Sequence, residues 1–154
     1  MHVAVAPKAA PELRHLLMEL WAHLDTIYGP NPGTEFSPED LHEAVYFVAY
    51  APDGQALGCT ALTPCEWGDT LELKRMFVVA SARRRGVAQA LLHASYAHAR
   101  AKDIARVRLE TGVQQPAAIA LYRREGFVPV SPWPPHDTDP QSLCFEKTLV
   151  GSAS

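Results

Sequence analysis

The sequence predicts a single domain of the α/β (α+β) class, in which helices flank a mixed sheet. Three observations support this fold class. The chain has 154 residues, which is the length of one ordinary domain. Its composition, 47% hydrophobic and 20% charged residues, is typical of a globular protein. Helix patterns come first along the chain, a run of strand patterns follows, and strands and helices then alternate.

The first predicted element is an amphipathic helix at residues 11–24. Its apolar residues recur at spacings of three and four, and Pro11 stands near its start. The Pro/Gly-rich stretch YGPNPGTEFSPEDL then predicts a loop. A short helix follows, with Ser37 as its N-cap and Pro38 in its first position.

The central sheet is predicted from two apolar stretches rich in β-branched residues, AVYFVAYAPDGQALGCTAL and TLELKRMFVV. Pro-Asp-Gly and Trp-Gly-Asp divide these stretches into strands, so we expect an antiparallel meander. Strict alternation would divide the side chains of the last strand between two faces. One face would carry Glu72, Lys74, Met76 and Val78, and the other would carry Leu71, Leu73, Arg75, Phe77 and Val79.

The second half of the chain alternates between helix and strand patterns. A helical period begins after RRRG and runs to about Lys102, and the later patterns are a strand at VRLETG, a helix at PAAIALYRREG and strands near FVPV and SLCFEKTL. The Pro-rich segment SPWPPHDTDPQ predicts a long loop over one end of the sheet. We therefore expect one domain over residues 1–150 and a short C-terminal tail over residues 151–154.

Charge, cysteine and histidine content narrow the classes of function. The formal net charge of −3 gives no general attraction to nucleic acid. The cysteines Cys59, Cys65 and Cys144 show no CxxC spacing, and the histidines show no metal-ligand spacing, so we expect no disulfide and no metal. The first residues lack the pattern of a signal peptide, and no apolar run approaches the roughly 20 residues of a membrane span. We therefore expect a cytoplasmic protein without a membrane partner.

The stretch RRRGVAQALL places a run of arginines before a helix start. The first turn of a helix carries unpaired amides and a partial positive charge, so arginines there predict a bound anion. Gly86 lets a ligand approach the backbone, and Ala88 keeps the next turn open, which favours a phosphate. The alternative is a solvated run of charges.

The segment VVASARRRGVAQALL, followed later by QPAAIALYRREGF, resembles the GNAT superfamily of acyl-CoA-dependent N-acyltransferases. The signature of that family is Arg or Gln, two residues, Gly, one residue and then Gly or Ala, and Arg83, Gly86 and Ala88 match it. LYRREGF is similar to the second family motif. The resemblance is strongest over residues 71–130. It implies a splayed, mostly antiparallel sheet flanked by helices and the transfer of an acetyl group from acetyl-CoA to an amine.

The resemblance also implies a binding site for coenzyme A. Backbone amides at the helix start would hold the pyrophosphate, and the pantetheine arm would run beside the preceding strand. The implied binding residues are Met76, Phe77, Val78, Arg83, Arg84, Arg85, Gly86, Val87, Ala88, Gln89 and Gln115. Many members carry an Asn ahead of the second motif, whereas this sequence has Gln114 and Gln115, so Gln115 departs from the family pattern.

Two residues are implied as the catalytic pair. Tyr122 of the second motif would protonate the departing thiolate as general acid, and the alternative is a tyrosine that only packs in the core. Glu72 stands at the strand position where histone-modifying members carry a catalytic glutamate, so it would be the general base. The alternatives to this role are an ion pair between Glu72 and Lys74 and a chain of water molecules as the base.

No motif identifies the acceptor. The resemblance leaves small-molecule and peptide amines open, and it makes a homodimer possible, since dimers are common in the family. Candidates to line the acceptor pocket are His23, Asp25 and Tyr28 after the first helix, and Trp133 and His136 in the Pro-rich loop.

Two rival classes of function remain. A catalytically silent acyl-CoA sensor or partner-binding module would bind acetyl-CoA without turnover. A nucleic-acid binder that uses the arginine run is disfavoured by the acidic net charge and the lack of a basic stripe with stacking aromatic residues. We therefore expect an N-acetyltransferase with an amine acceptor and no nucleic-acid partner.

Overall fold

The computed structural model describes residues 1–30, 33 and 35–149. Its strands and helices are, in chain order, β1 (His2–Ala6), α1 (Pro11–Tyr28), β2 (Val45–Tyr50), β3 (Ala56–Pro64), β4 (Thr70–Val78), α2 (Val87–Ala101), β5 (Arg106–Gly112), α3 (Pro116–Arg124), β6 (Val128–Val130) and β7 (Ser142–Thr148). The strands form one sheet of seven in the order β1-β2-β3-β4-β5-β7-β6. Residue 150 and the predicted tail at 151–154 lie outside the described residues.

The structure contains a strand, β1, that was not predicted from the sequence. The first element along the described chain is therefore this strand and not the predicted helix. β1 pairs antiparallel with β2, from His2 opposite Tyr50 to Ala6 opposite Tyr46. A five-residue alanine and valine segment has a weak local pattern. Pairing with a strand more than 40 residues away in the sequence therefore decides its conformation.

The helices α1 and α2 cover opposite faces of the sheet. Leu13 and Leu17 of α1 pack in one buried cluster with Val48, whereas Leu91 of α2 packs in another with Phe47. Phe47 and Val48 are neighbours on β2, and successive side chains of a strand point to opposite faces. α1 continues past its predicted end to Tyr28, where Gly29 with a φ of 84° follows it. The predicted helix at Pro38 is a short 3-10 turn, Pro38–Asp40.

The predicted meander of β2, β3 and β4 is present, but the predicted alternation along β4 is wrong beyond Lys74. The register shifts between Cys59, opposite Phe77, and Ala61, opposite Lys74, which marks a β-bulge. Arg75 stands in this bulge with a φ of 60°. An extra residue moves all later side chains to the other face. Met76, Val78, Leu71 and Leu73 consequently all contact the α2-side cluster, and Phe77 contacts the α1-side cluster.

The sheet splays in its middle, between β4 and β5. These two strands are parallel, and they pair only from Thr70 opposite Arg106 to Leu73 opposite Leu109. β5 continues to Gly112 with β7 as its antiparallel neighbour. β4 and β5 therefore diverge beyond Leu73 and leave a gap. The prediction of a single domain with a mixed, mostly antiparallel and splayed sheet is confirmed.

The second half of the chain has the predicted order of α2, β5, α3, β6 and β7. The Pro-rich loop at residues 131–141 contains a 3-10 turn, His136–Thr138, and its Trp133 is buried. None of the helices in the described part of the chain combines the length and apolar character needed to cross a membrane.

Candidate active site

A cavity of about 1460 Å³ opens where β4 and β5 diverge. Its walls come from the end of α1, the second half of β4, the start of α2, the end of β5 and α3. The predicted coenzyme-binding residues that line this cavity are Met76, Phe77, Val78, Arg83, Arg84, Gly86, Val87, Ala88, Gln89 and Gln115. The volume suffices for a ligand larger than a drug-sized molecule.

The start of α2 presents unpaired amides to this cavity. Gly86 is the N-cap residue, with a φ of 78°, and it provides no side-chain cap. The first turn of α2 carries no acidic residue. A Cβ atom at Gly86 would meet no described protein atom within 4 Å, so open space lies in front of the backbone. The amides of Val87, Ala88 and Gln89 thus lie at an uncapped helix start beside open space, and such a cradle fits the diphosphate of coenzyme A.

The arginines before α2 are exposed, and they have different surroundings. Arg83 lines the cavity and donates from Nε to the carbonyl oxygen of Val78 at 3.2 Å. Arg84 also lines the cavity, and its φ of 63° lies in the left-handed region. Arg85 is outside the cavity lining and points Nη1 toward the carbonyl of Ser81 at 3.5 Å. The role of Arg85 in binding coenzyme A stays a prediction.

The second half of β4 has one unpaired backbone edge. Val78 and Phe77 pair with Gly58 and Cys59 of β3, while pairing with β5 has already ended at Leu73. Apart from the carbonyl oxygen of Val78, which accepts from Arg83, the backbone groups that face the gap are therefore available to an extended ligand. Such an edge can bind a pantetheine arm as an added strand.

Tyr122 of α3 lines the large cavity, and its side chain is 5% exposed. Its ring packs against Phe127 in a T-shaped arrangement, with 5.6 Å between ring centroids. Burial raises the pKa of the Tyr122 hydroxyl above its ordinary value. That hydroxyl makes no hydrogen bond to any described residue of the chain. It is thus a buried, protonated group at the cavity wall.

Glu72 lies outside the large cavity and is 6% exposed. Arg108 donates from Nε to Glu72 Oε1 at 3.0 Å, and Lys74 Nζ lies 3.3 Å from Oε2. The ion pair with Lys74 that was the alternative to a catalytic role is therefore present. Both carboxylate oxygens of Glu72 have cationic partners, and its role as general base stays a prediction.

Arg108 of β5 is the group that holds Glu72, and the sequence analysis did not single it out. Its side chain is 3% exposed and also contacts Glu66 Oε1 at 2.6 Å. The guanidinium carbon lies over both tryptophan rings, 4.2 Å from the Trp67 centroid and 4.1 Å from the Trp133 centroid, and the two rings contact each other in a T-shaped arrangement. Trp133, a predicted acceptor-pocket residue, therefore packs on Arg108 and is outside both cavity linings.

Glu110 of β5 is a carboxylate in the wall of the large cavity that was not predicted from the sequence. It accepts a hydrogen bond from Ser142 Oγ at 2.7 Å, and it has no ion pair with any described residue. It stands just after Leu109, where pairing with β4 ends, so the gap in the sheet exposes it to the cavity. An acidic residue near the end of the strand pattern VRLETG was the signal available in the sequence.

A smaller cavity of about 240 Å³ adjoins the large one. The two share Phe36, Leu73, Lys74, Arg75 and Glu110, and the smaller one adds Leu41, Glu72 and His136. No residue of α2 or α3 lines it among those described. The two cavities thus meet at the gap between β4 and β5.

The predicted acceptor residues at the end of α1 all line the large cavity, namely His23, Asp25 and Tyr28. Burial lowers the pKa of His23, and the nearby Arg83 guanidinium lowers it further. The hydroxyl of Tyr28 accepts a hydrogen bond from Gln115 Nε2 at 3.1 Å, which joins α1 to the start of α3 across the cavity mouth. Within the described residues, no group of three His, Cys, Asp or Glu side chains is placed to hold a metal ion.

The splayed sheet, the uncapped helix start and the buried tyrosine define a class of protein, the enzymes that transfer an acyl group from coenzyme A to an amine. The chain belongs to the acetyltransferase (GNAT) family, whose model matches residues 10–127. It is an N-acetyltransferase that uses acetyl-CoA as its cosubstrate. The fold, family and cosubstrate implied by the sequence resemblance are therefore confirmed.

Two relatives of this chain are acetyltransferases that are named for different compounds. An IAA acetyltransferase of Azospirillum brasilense is 39% identical over 135 residues, which are 87% of this chain and 88% of the relative. An aminoglycoside N(6')-acetyltransferase type 1 of Klebsiella aerogenes is 32% identical over 112 residues, 69% of this chain and 68% of the relative.

Solved structures share the fold over nearly the whole chain. A Klebsiella pneumoniae structure assigned as an acyl-CoA N-acyltransferase has a TM-score of 0.80 at 31% identity and covers 96% of each chain. The PaiA N-acetyltransferase of Thermoplasma acidophilum, solved in complex with coenzyme A, has a TM-score of 0.72 at 19% identity and covers 96% of this chain and 99% of its own. The similarity to the Thermoplasma acidophilum structure, at this low identity, shows a shared fold alone.

Proposed function

We propose that the chain acetylates the amine of a small molecule or a peptide by direct attack on the thioester of acetyl-CoA at the gap between β4 and β5. One observation carries this proposal. The uncapped start of α2, the buried Tyr122 and the carboxylate of Glu110 line the same cavity. An anion-binding helix start, a proton donor and a proton acceptor are the groups that this transfer requires.

Two groups of residues would hold the cosubstrate, one at its phosphates and one at its pantetheine arm. Bound acetyl-CoA supplies the activated acetyl group of the thioester. Its phosphates would bind the first amides of α2 and the side chains of Arg83 and Arg84, which add opposite charge. The pantetheine arm would bind the free backbone edge at Met76, Phe77 and Val78. These assignments depend on backbone amides and positive charge, which both line the cavity.

Tyr122 is proposed as the general acid. The thiolate of coenzyme A takes up a proton when it leaves, and a thiol has an ordinary pKa of about 8.5. The Tyr122 hydroxyl, whose pKa burial raises above its ordinary value, carries its proton over the neutral range, and it would donate that proton to the adjacent thiolate. The absence of another hydrogen-bond partner among the described residues leaves that proton available.

Glu110 is proposed as the general base. An alkylamine with a pKa of about 10.4 is mostly protonated at neutral pH and must lose a proton to attack. Glu110 lines both cavities and has no cationic partner among the described residues, whereas Glu72 is bound by Arg108 and Lys74. Glu72 remains the alternative base. Glu110→Gln should lower kcat by about 10² to 10⁴, and a larger loss in Glu72→Gln at unchanged stability would reverse the assignment.

The acceptor is proposed to enter through the smaller cavity. Lys74 and Arg75 in its wall already pair with Glu72 and Asp40, so among the described residues of this wall Glu110 is the carboxylate without an ion pair. A positively charged amine would therefore bind beside Glu110. Phe36 and Leu41 offer apolar surface to the rest of the acceptor. We propose an amine without a carboxylate and with an apolar body.

The cellular setting of the chain is also a proposal. We infer a cytoplasmic protein, because Cys59, Cys65 and Cys144 are all free thiols, as is usual in a reducing compartment. The domain would cover residues 1–150, and a homodimer is carried over from the family resemblance. Sedimentation at micromolar concentrations tests the dimer.

The decisive experiment is an amine panel that follows the release of coenzyme A thiol. The panel contains 2-phenylethylamine, phenylalanine, spermidine, kanamycin and a peptide with a free N-terminus. We expect 2-phenylethylamine to be acetylated with the highest kcat/KM. A preference for phenylalanine would contradict the proposed acceptor class, while turnover itself would still support the enzyme.

Binding of acetyl-CoA is measured on the same preparation by thermal denaturation. A ligand present at about 100 times its Kd stabilises the folded state by about 2.7 kcal/mol. Stabilisation without turnover on any amine would favour the alternative, a catalytically silent acyl-CoA-binding sensor or partner-binding module.

A further inference from the structure

Arg75 is the bulged residue of β4, and its backbone has a φ of 60°. Residues other than glycine rarely adopt this conformation, because the Cβ atom crowds the following carbonyl group. Contacts around the side chain must therefore hold it there. Arg75 lines both cavities, and its side chain is 10% exposed.

The Arg75 guanidinium is bound to one short segment, residues 35–41, and to β2. Nη1 donates to the carbonyl oxygen of Ser37 at 2.7 Å and to the hydroxyl oxygen of Tyr46 at 3.0 Å. Nη2 lies 3.5 Å from Asp40 Oδ2. The guanidinium carbon is 4.5 Å from the centroid of the Phe36 ring. One side chain thus satisfies a carbonyl, a hydroxyl, a carboxylate and an aromatic face.

The segment at residues 35–41 needs such an anchor. Its regular structure is a single 3-10 turn, Pro38–Asp40, and an element that short gives little stability of its own. Phe36 and Leu41, at its two ends, form part of the wall of the smaller cavity. A second ion pair to the segment, from Arg14 to Glu39, is about half exposed. Exposed pairs of this kind contribute little.

We infer that Arg75 is a positioning residue, which holds residues 35–41 as one wall of the acceptor cavity. The inference rests on the proposed function, since it takes the smaller cavity as the acceptor site. The bulge that shifts the register of β4 directs the Arg75 side chain to this segment. Loss of the side chain should weaken the binding of the acceptor and leave the binding of acetyl-CoA nearly unchanged.

The test uses three variants of Arg75 and one matched control. Arg75→Gly removes the side chain and suits the positive φ, whereas Arg75→Ala removes the side chain and keeps the backbone strain. Arg75→Lys keeps the charge near Asp40 and loses the fork that reaches Ser37 and Tyr46. Arg14→Ala removes the exposed ion pair to the same segment and is the control.

We expect KM to rise for the acceptor and to stay nearly constant for acetyl-CoA. In Arg75→Gly, KM for the acceptor found in the amine panel should rise about 10- to 100-fold, because charge-assisted hydrogen bonds are lost. KM for acetyl-CoA and kcat at saturating acceptor should stay within about threefold. Arg75→Lys should lie between wild type and Arg75→Gly, and Arg14→Ala should match wild type. An equal rise in KM for both substrates, or none for the acceptor, would overturn the inference.

Hydrogen exchange provides a readout that does not depend on the acceptor. The amides of Ser37, Asp40 and Ala44 are hydrogen-bonded within or beside the segment, to Asp40, Ser37 and Leu41 respectively. Their exchange should accelerate in Arg75→Gly, while the amides of α2 keep their wild-type rates. If no amine in the panel is acetylated, the proposed acceptor class fails, and exchange still decides whether Arg75 positions the segment. Unchanged exchange at these amides would refute the positioning role.

Discussion

Replacing Tyr122 with phenylalanine deletes one oxygen atom and keeps the ring that packs against Phe127. If the hydroxyl protonates the leaving thiolate, kcat should fall by about 10² to 10⁴, which is the usual contribution of general acid catalysis. KM for acetyl-CoA should change little, because the hydroxyl would act in the transition state and not in ground-state binding.

The structure also sets the expected change in stability. The Tyr122 hydroxyl has no hydrogen-bond partner among the described residues, so its removal leaves no buried group unsatisfied. We expect the free energy of unfolding to change by less than about 1 kcal/mol, which is a Tm shift within about 4 °C for a domain of this size.

Tyr96→Phe is the matched control. Tyr96 lies on α2, is 4% exposed, and donates a hydrogen bond to Glu125 Oε1 at 3.1 Å, but it does not line the large cavity. Its variant should lose about 1 to 3 kcal/mol of stability and keep its kcat per folded molecule, because the broken hydrogen bond is made to Glu125, which has no role in the proposed proton transfers. The two variants should therefore show opposite patterns. Tyr122→Phe should lose kcat and keep its stability, whereas Tyr96→Phe should lose stability and keep its kcat.

The assay measures kcat from the release of coenzyme A thiol and Tm from the same preparation. An unchanged kcat in Tyr122→Phe would refute the acid assignment and leave water or the amine as the proton source. A large loss of stability with unchanged activity would instead assign the hydroxyl a packing role.

Three further predictions concern the coenzyme site and the effect of pH. Gly86→Val should abolish acetyl-CoA binding, measured by calorimetry, and cost about 1 to 2 kcal/mol of stability, because Gly86 has a φ of 78° and faces open space; wild-type affinity would refute the cradle. Arg84→Ala should weaken coenzyme A binding and flatten its salt dependence more than Arg85→Ala, because only Arg84 lines the cavity; equal effects would contradict this. The lowered pKa of His23 means that the folded state binds fewer protons than the unfolded chain, so stability should fall as the pH falls below about 6.5. Thermal denaturation between pH 7.5 and pH 5 should show a smaller loss of stability in His23→Gln than in wild type. An identical loss would exclude His23 as a source of this pH dependence.

The sequence by itself determined the main helices, the meander and the residues proposed to hold coenzyme A, because each depends on short-range patterns. The apolar spacing of α1 and α2 is set by one helical turn. The cradle consists of consecutive residues around Gly86, and a strand before it and a helix after it are enough to place their amides together. The second motif, with Tyr122, is likewise a local pattern on one helix.

The tertiary structure decided which side chains meet across strands. β1 forms because β2 pairs with it, and one bulged residue, Arg75, moves Met76 to the other face of β4 without any signal in the composition. Glu72 is bound by Arg108, 36 residues away, and Glu110 reaches the cavity only because pairing of β4 and β5 stops at Leu73. Helix periodicity and capping act over a few neighbouring residues, whereas register and splay depend on residues far apart in the chain. The proposed coenzyme site could therefore be predicted from the sequence, whereas the proposed acceptor site required the folded sheet.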